Sequence, residues 1–319
     1  MSDFSPWQHY WQTMNAHACV RDANAEYRAE IQQFWLNKIQ QCRTSERVLD
    51  ICAGNGAVAR LAIQASDAAK LALTVHAIDG AKVNQQYIEQ DALLRRVNFL
   101  DDVNITALPY TDLSFDLVTS QYGIEYALNE LAIAEVARVI KSQGRFISVC
   151  HDANGTSVVA AKNALQYLDR VLDTSQFFTT LKLYIQQVTK EGQNASASTE
   201  LQNLDAQLIA AKRIVDEGAQ SVDTADITSN VIAIVGHMLA NMKFLTVEAM
   251  LNKVDDLQNS LNMHRKRLLL CVESALTDAK KQDFVNIAAS QQLLLKDDNA
   301  LHDNQGALLA RVLVFEKTH

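Results

Sequence analysis

A short apolar strand, a turn with two glycines and an alanine-rich helix follow one another early in the chain. Arg47–Ile51 is β-capable, Cys52–Gly56 forms the turn, and Ala57–Ala69 has the composition of a helix. Small residues in such a turn let the backbone approach a ligand at the N-terminus of the next helix. The spacing G-x-G-x-x-A from Gly54 onwards also fits the loose dinucleotide-binding fingerprint. The unit predicts a nucleotide-type ligand site, and a tight turn without a ligand is the alternative.

β-capable and helical segments continue to alternate as far as residue 150. Four more apolar segments of strand length follow the first, namely Leu73–Asp79, Val97–Leu100, Phe115–Ser120 and Arg145–Cys150. Strands that alternate with helices in this way are typical of parallel βαβ units. The chain has only 2 prolines and 10 glycines in 319 residues, too few turn residues for a loop-rich all-β protein. The pattern predicts an α/β fold with a doubly wound, mostly parallel sheet.

We place the alternating core at residues 46–154. Outside it, the composition and the hydrophobic periodicity of the chain are different. Residues 155–283 show helical periodicity with few helix breakers, which predicts an all-helical insertion. Residues 1–45 are rich in aromatic side chains and are expected to form a helical lid. Residues 284–319 are expected to form a terminal β-hairpin. Two β-capable stretches and a loop make up this hairpin, in chain order Phe284–Lys296, Asp297–Gly306 and Leu308–Lys317.

Charge and cysteine usage restrict the partners and the compartment. The net charge is −8, whereas nucleic-acid-binding proteins usually carry a basic domain or stripe. No apolar run reaches the length of about 18 residues that a membrane span needs, and the N-terminus lacks the pattern of a secretory signal. The five cysteines are dispersed, as in reduced cytosolic proteins, and no His/Cys cluster indicates a metal site. We expect a cytoplasmic protein with a small-molecule partner that binds neither nucleic acid nor membrane.

Two aspartates stand at the ends of the first two predicted strands. Asp79, which Gly80 follows, closes the second strand, where an acid is placed to hydrogen-bond ribose hydroxyls. Asp50 lies at the end of the first strand, four residues before Gly54. A carboxylate at this point would repel a pyrophosphate, but it would suit a ligand that carries a cationic amine. The two acids predict an adenosine-like ligand, with Asp50 at its amine or as an organiser of the turn.

Five features in order resemble the motifs of class I S-adenosylmethionine-dependent methyltransferases of the small-molecule type. The matching features are Val48–Gly56 with the first motif D-x-G-x-G-x-G, Asp79 with the ribose-binding acid, Leu108–Asp116, Ser120–Tyr126 and Arg138–Gly144. The resemblance implies a Rossmann-like, seven-stranded sheet with an antiparallel last strand, which the terminal hairpin completes. It also implies S-adenosyl-L-methionine as the cofactor. By the same analogy, the helical insertion lies at the active-site edge and caps the substrate site or pairs two copies in a homodimer.

The resemblance extends the list of cofactor contacts. The expected cofactor-binding residues are Asp50, Ala53, Gly54, Asn55, Gly56, Asp79, Gly80, Asn104, Ile105 and Gln121. Asn104 stands where the family often has an acid for the adenine amine, and its side-chain oxygen can accept the same hydrogen bond. Ile105 is expected to pack on the adenine, and Gln121 to lie at the methionine end of the cofactor. Cys52 departs from the family because it replaces the first glycine of the motif.

Four further residues are candidates for the substrate side of the site. His151 directly follows the fifth strand, at the edge where ligands bind in such sheets, and an imidazole can accept a proton near neutral pH. We therefore expect His151 to be catalytic, with a hydrogen-bonded loop histidine as the alternative. Tyr126, Tyr10 and Trp11 are expected to contact the substrate, the last two within a lid whose rings face the sulfonium, because aromatic faces attract cations. Core packing is the alternative for these rings.

The expected function is transfer of a methyl group from S-adenosylmethionine to an O, N or C nucleophile of a small-molecule acceptor. Two other classes of protein stay open. A nucleotide-cofactor oxidoreductase has the G-x-G-x-x-A spacing in its favour, although Asp50 and the Leu108–Asp116 segment count against it. A non-catalytic, methyltransferase-like interaction protein has Cys52 and Asn104 in its favour, since both depart from the family pattern.

Overall fold

A computed structural model of the protein describes residues 5–12, 28–191, 198–218 and 224–318. The chain divides into two units: the first comprises Met1–Val159 and Leu270–His319, and the second comprises Ala160–Leu269. Of the lid expected over residues 1–45, residues 1–4 and 13–27 lie outside the described part of the chain. The assignment of the other residues to a lid, like the remaining domain roles, stays a prediction.

Seven strands form one sheet in the first unit. They are β1 (Arg47–Ile51), β2 (Thr74–Ile78), β3 (Asn98–Leu100), β4 (Phe115–Gln121), β5 (Ile140–Cys150), β6 (Leu293–His302) and β7 (Leu308–Lys317). Their order across the sheet is β3-β2-β1-β4-β5-β7-β6. β1 to β5 pair in parallel, whereas β7 runs antiparallel to both of its neighbours, β5 and β6. The expected α/β fold, with a mostly parallel sheet and an antiparallel last strand, is confirmed.

Helices cover both faces of this sheet. The α-helices of the described chain are α1 (Ser5–Trp11), α2 (Ala29–Ile39), α3 (Ala57–Ala69), α4 (Gln85–Gln90), α5 (Glu130–Val139), α6 (Thr156–Asp169), α7 (Phe177–Glu191), α8 (Thr199–Glu217), α9 (Ala225–Ala240), α10 (Val247–Ser274) and α11 (Asp278–Ser290). α2 and α3 bury their apolar side chains, among them Trp35, on one face of the sheet. α5 and α11, the latter with Phe284, cover the other face. Burial on both faces explains why the strands read as apolar runs without alternation.

The expected terminal hairpin is wrong over the start of its first strand. Phe284–Ser290 belongs to α11, and the side chain of Thr277 caps this helix by accepting from the backbone N–H of Lys280 at 3.3 Å. The segment is apolar enough to suggest a strand. Its buried residues Phe284 and Ala288 are four positions apart, however, and therefore share one face of a helix.

The expected loop Asp297–Gly306 is wrong as well, because β6 begins at Leu293 and continues to His302. The polar residues at the start of the loop segment pair with β7 in an edge strand, where charged side chains discourage pairing with another chain. The turn itself is confined to a few residues: Oδ1 of Asp303 accepts from the backbone N–H groups of Gln305 and Ala307 at 2.9 and 2.8 Å.

The second unit consists of helices in its described residues. It contains α7, α8 and α9 with the adjoining parts of α6 and α10. One buried hydroxyl inside it, that of Tyr167, donates to the carbonyl of Val215 at 2.9 Å and lies 2.9 Å from Oγ1 of Thr228. In the part of the chain that the structure describes, no helix is long and apolar enough to cross a membrane. The role of the insertion as a cap or dimerisation surface stays a prediction.

Candidate active site

The parallel strands β1, β2, β4 and β5 end at the same edge of the sheet. The segments that follow their carboxyl ends are Cys52–Gly56, Asp79–Ala81, Tyr122–Tyr126 and His151 with Asp152. In open α/β sheets, ligands bind in the crevice outside this edge. Parallel pairing of the strands therefore brings together most of the residues that the sequence singles out, although they are up to about a hundred positions apart.

The turn after β1 is built from residues in the left-handed region. Gly54 and Gly56 have φ values of +54° and +87°, and Cys52 has a φ of +53°. Cys52 thus adopts a conformation that suits the glycine of the family motif, at a cost of about 1 kcal/mol for a residue with a Cβ. The backbone N–H of Ala53 donates to the carbonyl of Ile78 at 2.9 Å, which joins the turn to the end of β2.

Asp79 is bonded directly to the glycine turn. Its Oδ2 accepts from the backbone N–H of Gly54 at 2.7 Å, and its Oδ1 accepts from the N–H of Ala81 at 2.7 Å. The side chain is buried, and burial raises its pKa to about 6 against the lowering effect of these two hydrogen bonds. Gly80 lies between Asp79 and Ala81, in the bend that follows β2. Asp79 and the turn therefore form one polar surface at the ends of β1 and β2.

Asp50 lies beneath the same turn, fully buried. Its Oδ2 accepts from the backbone N–H of Ala59 at 3.2 Å, and its Oδ1 accepts from the Thr119 hydroxyl at 2.9 Å. Burial, together with a smaller effect of the nearby Asp79 carboxylate, raises its pKa to about 7. Through these contacts Asp50 ties the start of α3 to β4. Whether it also meets the amine of a cofactor stays a prediction.

The short helix α1 packs on the glycine turn. A Cβ added to Gly54 would lie 2.4 Å from the indole ring of Trp11, so the ring lies directly against the Gly54 backbone. Trp11 is buried in a small cluster with Ala81, Trp7 and Tyr10. The carbonyl of Trp11 also accepts from Nδ2 of Asn55 at 3.0 Å. The structure thus places Trp11 against the expected cofactor turn, with the ring of Tyr10 edge-on to it at 5.0 Å.

A buried imidazole and carboxylate lie after β5 and β4. Nδ1 of His151 is 2.8 Å from Oε1 of Glu125, and the backbone N–H of His151 donates to the same oxygen at 2.9 Å. Neither side chain has any exposed surface. The ring of Tyr122 lies 4.2 Å from the imidazole between centroids, and Tyr126 meets it edge-on at 5.8 Å. Tyr126 in turn contacts Trp7 of α1 edge-on at 5.1 Å.

Three further residues that are expected to contact the cofactor make their observed side-chain contacts with other residues. Asn104 is exposed, and its side-chain oxygen accepts from the backbone N–H and the hydroxyl of Thr106 at 3.0 and 2.9 Å. Ile105 packs partly buried against the core of the α5 face. The side-chain oxygen of Gln121 accepts from the indole N–H of Trp35 at 2.6 Å. Their contacts with a cofactor stay a prediction.

Glu125 is not expected from the sequence to pair with His151, although the structure brings the two together. It lies inside the Ser120–Tyr126 motif, but its partner His151 is 26 positions further along the chain. No pattern of spacing within a helix or strand joins two loops at that distance. The one available signal is that both residues follow strands that become neighbours, β4 and β5.

The sheet order and the glycine turn bonded to Asp79 define the Rossmann-like fold of class I S-adenosylmethionine-dependent methyltransferases. Within this class, residues 23–177 match the model of the ubiE/COQ5 methyltransferase family. The resemblance that the sequence motifs suggested is thereby confirmed. The match supports a methyltransferase and implies S-adenosylmethionine as the cofactor.

Two curated methyltransferases are similar to this chain over less than half of its length. The uncharacterized methyltransferase YcgJ of Bacillus subtilis is 32% identical over 139 residues, which are 43% of this chain and 53% of that protein. The ubiquinone/menaquinone biosynthesis C-methyltransferase UbiE of Bartonella tribocorum is 30% identical over 140 residues, 43% of this chain and 50% of that protein. The chain spans about half the length of these relatives. Among solved structures, a complex between the Haloferax volcanii Trm112 methyltransferase activator and a putative methyltransferase matches with a TM-score of 0.45 and 12% identity, over 91% of this chain and 90% of that one.

Proposed function

We propose that the protein transfers a methyl group from S-adenosylmethionine to a small-molecule acceptor. The observation that carries the proposal is the hydrogen bond at 2.7 Å between Asp79 and the backbone of Gly54. It places a carboxylate from the end of the second strand against the glycine turn of the first. In Rossmann-like folds, this pair of features holds the ribose of a bound cofactor at the N-terminus of the first helix.

The donor and acceptor groups at this edge fit such a cofactor. Asp50 and Asp79 are both buried, and among the described residues neither forms an ion pair with a lysine or arginine side chain. A ligand with ribose hydroxyls and a cationic amine supplies the partners that such carboxylates favour. Asp79 would hold the ribose and Asp50 would lie near the amine. Asn104 and Ile105 would meet the adenine.

The chain's contribution to the reaction is position and exclusion of water. When bound, the cofactor supplies an electrophilic methyl group on a sulfonium sulfur. The rings of Tyr10 and Trp11 would shield that cation and Tyr126 would face the acceptor, while His151 would accept the acceptor's proton. Holding the acceptor in line with the methyl group accounts for much of the rate enhancement in reactions of this kind.

Isothermal titration with S-adenosylhomocysteine tests the proposal directly. We expect the wild-type protein to bind, and Asp79→Ala to weaken binding at least tenfold because the ribose loses its acceptor. Asp283→Asn, which removes a carboxylate from the exposed face of α11, is the matched control and should bind as the wild type does. Absence of binding by the wild-type protein would refute the proposed function.

The acceptor is proposed only by class. The Bartonella relative is named for C-methylation in quinone biosynthesis, so a reduced quinone precursor with a free ring C–H is the first acceptor to test. Methylation of that ring, followed by mass spectrometry, would identify a carbon acceptor. Binding of NADH in place of S-adenosylhomocysteine would favour the oxidoreductase. Cofactor binding without turnover on any acceptor would favour the non-catalytic interaction protein.

A further inference from the structure

Glu125 and His151 form a buried pair of ionisable side chains. Binding of a cofactor at the glycine turn does not explain why this pair is present. We propose that Glu125 positions His151 as the proton acceptor of methyl transfer, an inference that rests on the proposed function. His151 is then the catalytic residue and Glu125 is a positioning residue that acts through it. The argument depends on the geometry of the pair, its cost to the fold and its place at the sheet edge.

The geometry selects one tautomer of the imidazole. Oε1 of Glu125 accepts from the backbone N–H of His151 at 2.9 Å and lies 2.8 Å from Nδ1 of the ring. A carboxylate can only accept, so the proton of the neutral ring resides on Nδ1 and the lone pair on Nε2. The same contact orients the ring and makes Nε2 more basic, as carboxylate partners of metal-binding and catalytic histidines do.

The loop that carries Glu125 is held rigidly. The backbone N–H of Ile124 donates to the Ser120 hydroxyl at 3.0 Å. Gly123 leaves no space for a side chain, because an added Cβ would lie 2.4 Å from the Cβ of Cys52 in the glycine turn. The backbone two residues before Glu125 therefore packs against the same turn that we assign to the cofactor.

The burial of this pair lowers the stability of the fold if the pair only fills space. Both side chains are completely buried, and removing ionisable groups from water costs several kcal/mol unless excellent geometry offsets the loss. Apolar residues of similar volume are often as stable or more stable at such positions. A costly pair at the edge where ligands bind is the arrangement that active sites use to tune a base.

Other ionisable groups surround the pair. They are the thiols of Cys52 and Cys150, the phenols of Tyr122 and Tyr126, and the carboxyl group of Asp152, which pairs with Arg311. Burial raises the pKa of the Cys52 and Cys150 thiols well above the usual range, and the Glu125 carboxylate raises both further. The two thiols therefore stay protonated near neutral pH, and His151 is the member of this group that is suited to accept a proton.

The proposed step balances in atoms and charge. The acceptor's nucleophilic atom forms its bond to the methyl carbon as the bond from that carbon to sulfur breaks, and the sulfur keeps the electron pair and becomes neutral. The acceptor's proton passes to Nε2 of His151. The positive charge thus moves from the sulfonium to the imidazolium, next to the Glu125 carboxylate, and the proton is later released to water.

NMR titration of ring-labelled histidines tests the pair without an acceptor. We expect the neutral His151 ring to carry its proton on Nδ1. Glu125→Gln keeps the shape but removes the charge, so it should lower the pKa of His151 by about one to three pH units. Glu130→Gln, an exposed first-turn residue of α5, is the matched control and should leave the titration unchanged. A proton on Nε2, or an unchanged titration in Glu125→Gln, would overturn the proposal.

A second titration separates a base at the methyl group from a structural histidine. S-adenosylmethionine and S-adenosylhomocysteine differ by one methyl group and one positive charge at sulfur. A base close to that sulfur should have a pKa lower by about half to one pH unit in the S-adenosylmethionine complex. His76, which lies in β2 beside Arg47, should titrate equally in both complexes. Equal titration of His151 would overturn the inference alone, whereas no binding of either ligand would refute the proposed function as well.

Discussion

Replacing Asp50 with asparagine tests the electrostatics beneath the glycine turn. The pKa of this buried carboxyl is raised from 3.8 to about 7 by burial, so the folded protein holds a proton that the unfolded chain releases. An acid with a raised pKa contributes most to stability below the unfolded value. That contribution is lost as the pH rises through the folded value. Wild-type stability should therefore fall between about pH 4 and pH 7 through this one group.

The magnitude follows from the two pKa values. A difference of about three pH units corresponds to about 4 kcal/mol, and roughly 3 kcal/mol of it develops between pH 5 and pH 8.5. Asparagine is uncharged and nearly isosteric. Its amide oxygen can accept from Ala59, and its NH2 can donate to Thr119, whose hydroxyl then donates to the carbonyl of Leu49 at 3.5 Å. Asp50→Asn should thus be more stable than the wild type at pH 8.5.

Thermal unfolding at pH 5 and pH 8.5, without cofactor, measures the effect. The unfolding free energy of Asp50→Asn minus that of the wild type should increase by roughly 3 kcal/mol from pH 5 to pH 8.5. For a unit of about 200 residues, this corresponds to an increase of about 6–12 °C in the difference between their Tm values. Asp283→Asn on the surface of α11 controls for loss of one carboxylate and should show no such growth. The reasoning is refuted if the gain is the same at both pH values, or if Asp50→Asn is the less stable protein at pH 8.5.

Three further predictions concern the same unit. Gly54→Ala should weaken S-adenosylhomocysteine binding at least tenfold by calorimetry, because its Cβ would lie 2.4 Å from the Trp11 ring. Gly306→Ala is the control and should bind normally, because no atom lies within 4 Å of the added Cβ. Arg138→Ala should lower the free energy of urea unfolding by about 2–4 kcal/mol, since its guanidinium donates to two backbone carbonyls and two carboxylates, and should leave the affinity of the folded protein unchanged. Protonation of Asp79, whose pKa is about 6, removes an acceptor, so wild-type affinity for S-adenosylhomocysteine should fall from pH 7.5 to pH 5 while Asp79→Asn shows a flat, weak profile.

The core strands and the glycine turn are predictable from local pattern. β1, β2 and β4 begin and end within about a residue of the predicted segments, because strands buried on both faces must be short apolar runs. Gly54 and Gly56 are predictable because left-handed backbone favours glycine. The expected β-hairpin fails where the local pattern is ambiguous. Phe284–Ser290 is apolar like a strand, although the cap at Thr277 and the packing of Phe284 and Ala288 against the sheet belong to a helix.

The candidate site, too, has features that the sequence predicts and contacts that it does not. Motif order along the chain is enough to suggest that Asp79 and the glycine turn serve one ligand. The sequence does not show that Asp79 bonds to Gly54 itself, or that Trp11 lies on the same glycine. Those contacts depend on how helix α1 packs, and a seven-residue amphipathic segment carries no information about the surface that will bury it.

By itself, therefore, the sequence determined the class of fold, the glycine turn after β1 and the acid at the end of β2, because each depends on residue types at short, regular spacing. The tertiary structure alone decided that Glu125 meets His151 and that two carboxylates are buried together near the turn. These contacts arise because β1, β2, β4 and β5 run parallel and end at one edge of the sheet. Strand order sets which loops become neighbours, and that order exists only once the sheet is assembled.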